Sequence, residues 1–205
     1  MSRSEGGTDR LVAAIAAIDA ANAEDPIVVR VGGERGPKEL VHSRRATDWL
    51  ERLVEDPTEE QLIAIRAHHF RRWARPRSDF PDGRAGYLKW RTEAKKAHAV
   101  EVGELLAGVG YEPALVDRVA SIIRKERLAS DPAVQAHEDA LCLVFLEAQL
   151  DDLAGQLGDD HTIEVLVKTM RKMSPAGLEL ATGIPLSEES AALLRRALEE
   201  LAAAG

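Results

Sequence analysis

The chain is poor in the residues that would give quick answers about its function. It has one cysteine, Cys142, in "ALCLVFLE", which excludes a disulfide framework and a zinc ribbon and fits a reducing compartment. Aromatic residues make up only 4% of it, and the alanine- and leucine-rich remainder suits packed helices better than sheets. No apolar run approaches the roughly 18–20 residues of a membrane span. The opening "MSRSEGGTDR" lacks the apolar core of a secretory signal, so a cytoplasmic location is expected. Also missing are a P-loop, a dinucleotide-binding glycine fingerprint, a nucleophile elbow and an HExxH zinc helix, and the mechanisms built on them have no support.

What the chain does have is an uneven charge distribution. Between Arg66 and Lys96 lie ten lysines and arginines against three acids, a local balance of +7 inside a chain of net charge −8. A general nucleic-acid binder is more often basic throughout, so a basic island in an acidic chain points to a confined anionic ligand, with a solvated helix face as the bland alternative.

Apolar periodicity and punctuation predict a single all-α domain over 1–205. A helix begins at Thr8 and stops before Pro26. "IVVRVGGERG" reads as a short hairpin near 27–36. Helices are expected over about 37–54, from the Thr58/Gln61 capping box to about Ala74, from Ala85 to Gly108 or Gly110, and over 113–128. Asp131-Pro132 starts one over 132–152, and two more lie near 161–173 and 188–203, the last capped by Ser187. The segment 174–205 is expected as a peripheral C-terminal element.

Helical phase sorts the polar residues. His42 shares a stripe with Ala46, Trp49 and Leu53. His69 follows Leu62 and Ile65, whereas His68 falls on a more polar stripe with Gln61 and Arg72. His98 lies near Val102 and Leu105, Asp139 heads Leu143, Leu146 and Leu150, and Glu138 faces Cys142 and Phe145. Buried carboxylates need cationic or metal partners, so Glu138 and Asp139 are the most informative pair. His137 and His161 fall outside this pattern. Each inward histidine taken alone is more often a satisfied core residue.

The order of "HSRRATDWLERL", "QLIAIRAHHF", "HAVEVGELLAGVG" and "QAHEDALCLVFLE" resembles the HD-domain metal-dependent phosphohydrolases, over about 38–150. From Arg10 to about Gly177 the chain also resembles a family defined as a domain of unknown function (4202), through "PKEL", "RRW", "GYLKWR" and "EDALCLVFLE". The first resemblance implies an HD-like helical bundle. It implies a divalent transition metal (Zn, Fe, Mn, Co or Ni) on His42, His69, His98 and Asp139, with Glu138 and Asp139 as catalytic groups. The chain departs from that pattern at the doublet, where Phe70 follows His69, and again at "IIRKERL", where many relatives carry histidines. Arg71, Arg72, Arg75, Arg84, Arg91 and Lys95 form the expected binding set for a small phosphorylated substrate, a nucleotide or sugar phosphate. An HD-type iron oxygenase and a non-catalytic module binding RNA or another anion are the alternatives.

Overall fold

The computed structural model describes residues 5–203; residues 1–4 and 204–205 of the expected single domain lie outside the described residues. Among the described residues nine α-helices and one hairpin run in the order α1 Glu5–Asn22, β1 Val28–Val31, β2 Glu34–Pro37, α2 Lys38–Leu53, α3 Glu59–Arg66 and α4 Gly83–Val109. Then come α5 Pro113–Ile123, α6 Pro132–Leu157, α7 Asp159–Met170, α8 Pro175–Thr182 and α9 Glu188–Ala203. The all-α reading with one N-terminal hairpin therefore holds. No helix among the described residues is long and apolar enough to cross a membrane.

Local chemistry sets most boundaries. Gly32 and Gly33 both take positive φ, 56° and 87°, as a two-residue hairpin turn requires, and Val31 pairs with Glu34 across it. The Asp25 carboxylate accepts from the N–H of Ile27 (2.9 Å) and of Glu39 (3.1 Å), which ties the hairpin to the start of α2. Thr58 and Gln61 form the expected capping box, and Asp131 accepts from Ala133 N at the start of α6.

Two expected helices are shorter than their sequence pattern, and one helix is added. The helix expected to reach Ala74 stops at Arg66, and the chain continues in tight turns and two short 3₁₀ segments at 72–74 and 77–79. The helix expected over 113–128 stops at Ile123. The eight-residue α8 was not read from the sequence; Ser174 caps it by accepting from Gly177 N at 3.2 Å.

Two apolar cores result. One is built on α6, with Trp49 and Leu50 of α2, Leu166 of α7, Ala181 of α8 and Leu193 and Leu194 of α9, so the C-terminal segment is joined to the bundle. The other gathers Ile18, Ile63, Leu106, Val119 and Ile122 from α1, α3, α4 and α5. Helix α3 serves both, Ile65 facing the first and Ile63 the second. Arg45 and Trp49 clamp α2 to α6 through Glu147, at 2.6 Å and 2.9 Å. The α6 core borders a cavity, with Ala46, Ile65, Cys142 and Val144 in its lining.

Candidate functional site

The cavity has a volume of about 670 Å³. Its walls come from α2 (Glu39, His42), the turn after α3 (His68, His69, Arg72), the start of α4 (Arg84, Arg91), the turn after α5 (Lys125), α6 (Glu138), and α7 with the residues just beyond it (Lys168, Lys172). Glu39 and His42 reach it together because they lie three positions apart on one helix face.

The histidine pair is placed by turns rather than by helical phase. Past Arg66 the backbone makes i to i−3 bonds, from Phe70 N to Ala67 O (3.0 Å) and from Arg72 N to His69 O (2.9 Å). Arg71 is left-handed at φ 50°, and its N–H is held by Asn22 Oδ1 at 3.2 Å. The α3 stripe of Leu62 and Ile65 therefore does not extend to His69, which lies beyond the helix end. His68, assigned by phase to a polar stripe, is buried, and its Nδ1 lies 3.0 Å from Nε2 of His137. His137, which falls outside the inward pattern of the sequence, is among the most buried polar residues. His161 is exposed, as its place in a first helical turn suggests.

These rings form a file. The His137 and His68 centroids are 4.9 Å apart, those of His68 and His69 are 4.2 Å apart, and those of His69 and His98 are 6.3 Å apart. Burial pushes all four toward the neutral form. His68, His69 and His137 lie well below the usual histidine range, and His98 falls to about 3 with His69 and Arg72 adding to the effect. His42 is lowered as well, mainly by burial, although Glu39 opposes that. His69 keeps a third of its side chain (33%) open. Its Nδ1 is 3.2 Å from Glu39 Oε2 and its Nε2 is 2.5 Å from the Arg72 guanidinium. Burial raises the Glu39 carboxyl, with Arg72 as the main opposing charge. Arg72 also stacks over the Trp90 ring at 4.5 Å, so it is held in place from two sides.

The two candidate acids part company. Glu138 lines the cavity and has the cationic partners its burial demanded: it touches Lys125, and Lys172 Nζ is 3.8 Å away. Burial pushes its pKa up, but Lys125 and Lys172 bring it below the ordinary value. Asp139 does not line the cavity. Its oxygens accept from Ser174 N (2.9 Å), Ser174 Oγ (2.6 Å) and Gln135 Nε2 (2.9 Å), which fixes the start of α8.

Lys125 arrives by an uncommon route. α5 ends in a Schellman turn, with Lys125 N to Ile122 O at 2.8 Å and Glu126 N to Ser121 O at 3.0 Å; Lys125 sits at the left-handed position with φ 58°. Of the expected arginine set, Arg72, Arg84 and Arg91 line the cavity, and Lys95 lines a small adjoining space of about 50 Å³ beside His98. Burial lowers the Lys95 ammonium pKa, with Lys125 and Arg91 contributing. Arg71 and Arg75 line neither space: Arg71 is exposed over Trp73, and Arg75 is paired with Glu101. The other cations of the lining are Lys125, Lys168 and Lys172, all outside the basic island. Sequence reading missed these three together with Glu39, and nothing in their local pattern distinguishes them.

The ligand set implied by the HD-like order does not assemble. Asp139 is held by Ser174, His98 lies behind His69, and the Arg72 guanidinium occupies the approach to His69 Nε2. Among the described residues no group of three or more His, Cys, Asp or Glu side chains is arranged to hold a metal ion. With Asp139 turned away from the cavity and Arg72 on His69 Nε2, this arrangement does not fit a resident metal on those four ligands.

Over residues 12–194 the chain matches the family described as "Domain of unknown function (DUF4202)", and it belongs to that family. No curated protein and no solved structure matches it.

Proposed function

We propose that the chain binds a small phosphorylated molecule in this cavity and hydrolyses its phosphate ester. One observation carries the reading: Arg72, Arg84, Arg91, Lys125 and Lys172 converge on a concave space that also holds neutral histidines. Guanidinium and ammonium groups around one cavity suit a compact dianion, and a concave site favours a small ligand over an RNA strand.

His69 is the acid–base group of this reading. With its Nδ1–H toward Glu39, its Nε2 lone pair faces Arg72. An arriving phosphate draws the Arg72 guanidinium toward itself and frees Nε2 to take a proton from water. That water forms the new P–O bond while the ester P–O bond breaks, and the cationic wall offsets the charge on the equatorial oxygens. The leaving oxygen takes its proton from bulk water.

The test is phosphate release from a panel of phosphomonoesters, with chelator and with each divalent transition metal added back. His69→Gln should abolish turnover while retaining inorganic phosphate binding. Turnover unchanged in His69→Gln would overturn the assignment of the base. Activity that appears only with added metal would restore the metal-dependent form of the reaction.

A further inference from the structure

The cavity lining changes from charged to apolar along its helices: on α2 from Glu39 and His42 to Ala46, on α6 from Glu138 to Leu141, Val144 and Phe145, and from Lys172, just past α7, back to Val165, with Ile65 of α3 adding to the apolar part. Three neutral polar residues interrupt this surface, and two of them have committed their protons. Ser43 Oγ donates to Leu40 O at 2.9 Å, and Thr169 Oγ1 donates to Val165 O at 2.9 Å, each within its own helix. Lys168 is engaged by Glu164 at 3.2 Å. Among the described hydrogen bonds none engages Gln149, the His42 ring or the Tyr87 hydroxyl; His42 belongs to the charged part of the lining and Tyr87 to the mouth, so Gln149 is left as the free donor among the three that interrupt the apolar part. At the mouth, Tyr87 and Leu88 line the space with 43% and 49% of their surface exposed.

From this we infer that the phosphate is attached to an apolar body, aryl or branched alkyl, rather than to a polyhydroxylated sugar. The inference rests on the phosphate-binding reading above and narrows its substrate class. A sugar carried into the apolar part would give up hydrogen bonds to water and find almost no replacements. An apolar body would cover Phe145, Val144 and Leu141 inside and Leu88 at the mouth, removing apolar surface from water on both partners. Phosphate at Arg72 and Lys125 would then fix the orientation, while the apolar part sets the choice of ester.

Calorimetric titration of the full chain with inorganic phosphate, naphthyl phosphate and a hexose phosphate tests this. Naphthyl phosphate should bind about tenfold or more tighter than inorganic phosphate, and the hexose phosphate no tighter than inorganic phosphate. Phe145→Asn should remove the naphthyl advantage and leave the Kd for inorganic phosphate unchanged. Leu141→Asn serves as the second variant should the first fail to fold. A hexose phosphate that binds as tightly as naphthyl phosphate overturns the inference and leaves the phosphate site standing. Absence of inorganic phosphate binding overturns both.

Discussion

Glu138 and Asp139 are neighbours on α6, comparably buried, and they face two different regions of the molecule. The region on the Glu138 side is the cavity, where the partners of the carboxylate are lysine ammonium groups on long flexible stems. The region on the Asp139 side is the start of α8, where the partners are a hydroxyl, a main-chain N–H and an amide, all fixed by local structure. An arriving anion can compete for a lysine, but nothing arriving from solvent can replace a helix start. Burial of a carboxylate alone therefore does not mark a site. The mobility and charge of its partners do.

Acid should break the contrast most severely, because it acts on the cavity side through the histidines. His98 titrates at about 3 in the folded chain against an ordinary value near 6.5. In that interval the unfolded chain binds more protons, so stability present above pH 6.5 is lost as pH falls and the loss levels off below about 3. His68, His69 and His137 shift in the same direction. Each contributes up to about 1.4 kcal/mol per pH unit. Denaturant unfolding at a series of pH values should show stability falling steeply below 6.5; a flat profile down to pH 4 would mean that the histidine file is protonated or opens without cost.

Asp139→Ala comes next. Three hydrogen bonds to a buried carboxylate are lost, and a destabilisation of about 3 kcal/mol is expected, read as a lower denaturation midpoint. Phosphate affinity of the folded fraction should stay the same. A selective loss of phosphate binding would move Asp139 to the cavity side of the comparison. Gly177→Ala should act in the same direction, since a Cβ there would lie 2.8 Å from Asp139 Cγ.

Lys125→Ala should weaken inorganic phosphate binding about tenfold, equivalent to about 1.4 kcal/mol. The smallest effect belongs to Glu138→Gln. Removing the negative charge frees Lys125 and Lys172, so phosphate affinity should rise a few-fold. Weaker binding in that variant would show that Glu138 positions the lysines rather than competing for them.

Legibility in the sequence followed the range of the forces involved. Thr58 with Gln61, Asp131 with Pro132, and Gly110 at the end of α4 act over a few residues, and each marks its boundary as read. The demand of Glu138 for a cation was also legible, because burying a charge has a known cost. Which cation answers was not, since Lys125 depends on a left-handed turn and Lys172 on the packing of α7. The histidine pair failed for a related reason: helical phase carries no information past Arg66, where the helix has ended. His137 was misjudged because its surroundings are supplied by His68, distant in sequence.

Two helices end in the same turn. α4 closes with Gly110 N to Ala107 O and Tyr111 N to Leu106 O, and α5 with the same pair of bonds around Lys125. The first places glycine at the left-handed position, φ 90°, and the second places lysine there at φ 58°. A side chain in that conformation costs roughly 1 kcal/mol that glycine would not. Lys125→Gly removes that strain but leaves buried Glu138 without its nearest cation, so glycine there should raise the melting temperature only in a Glu138→Gln background, while depriving the cavity of a cation. Heat-based screening of this chain would therefore reach glycine at this position only after the Glu138 charge is gone, so the ion pair protects the cation of the binding site.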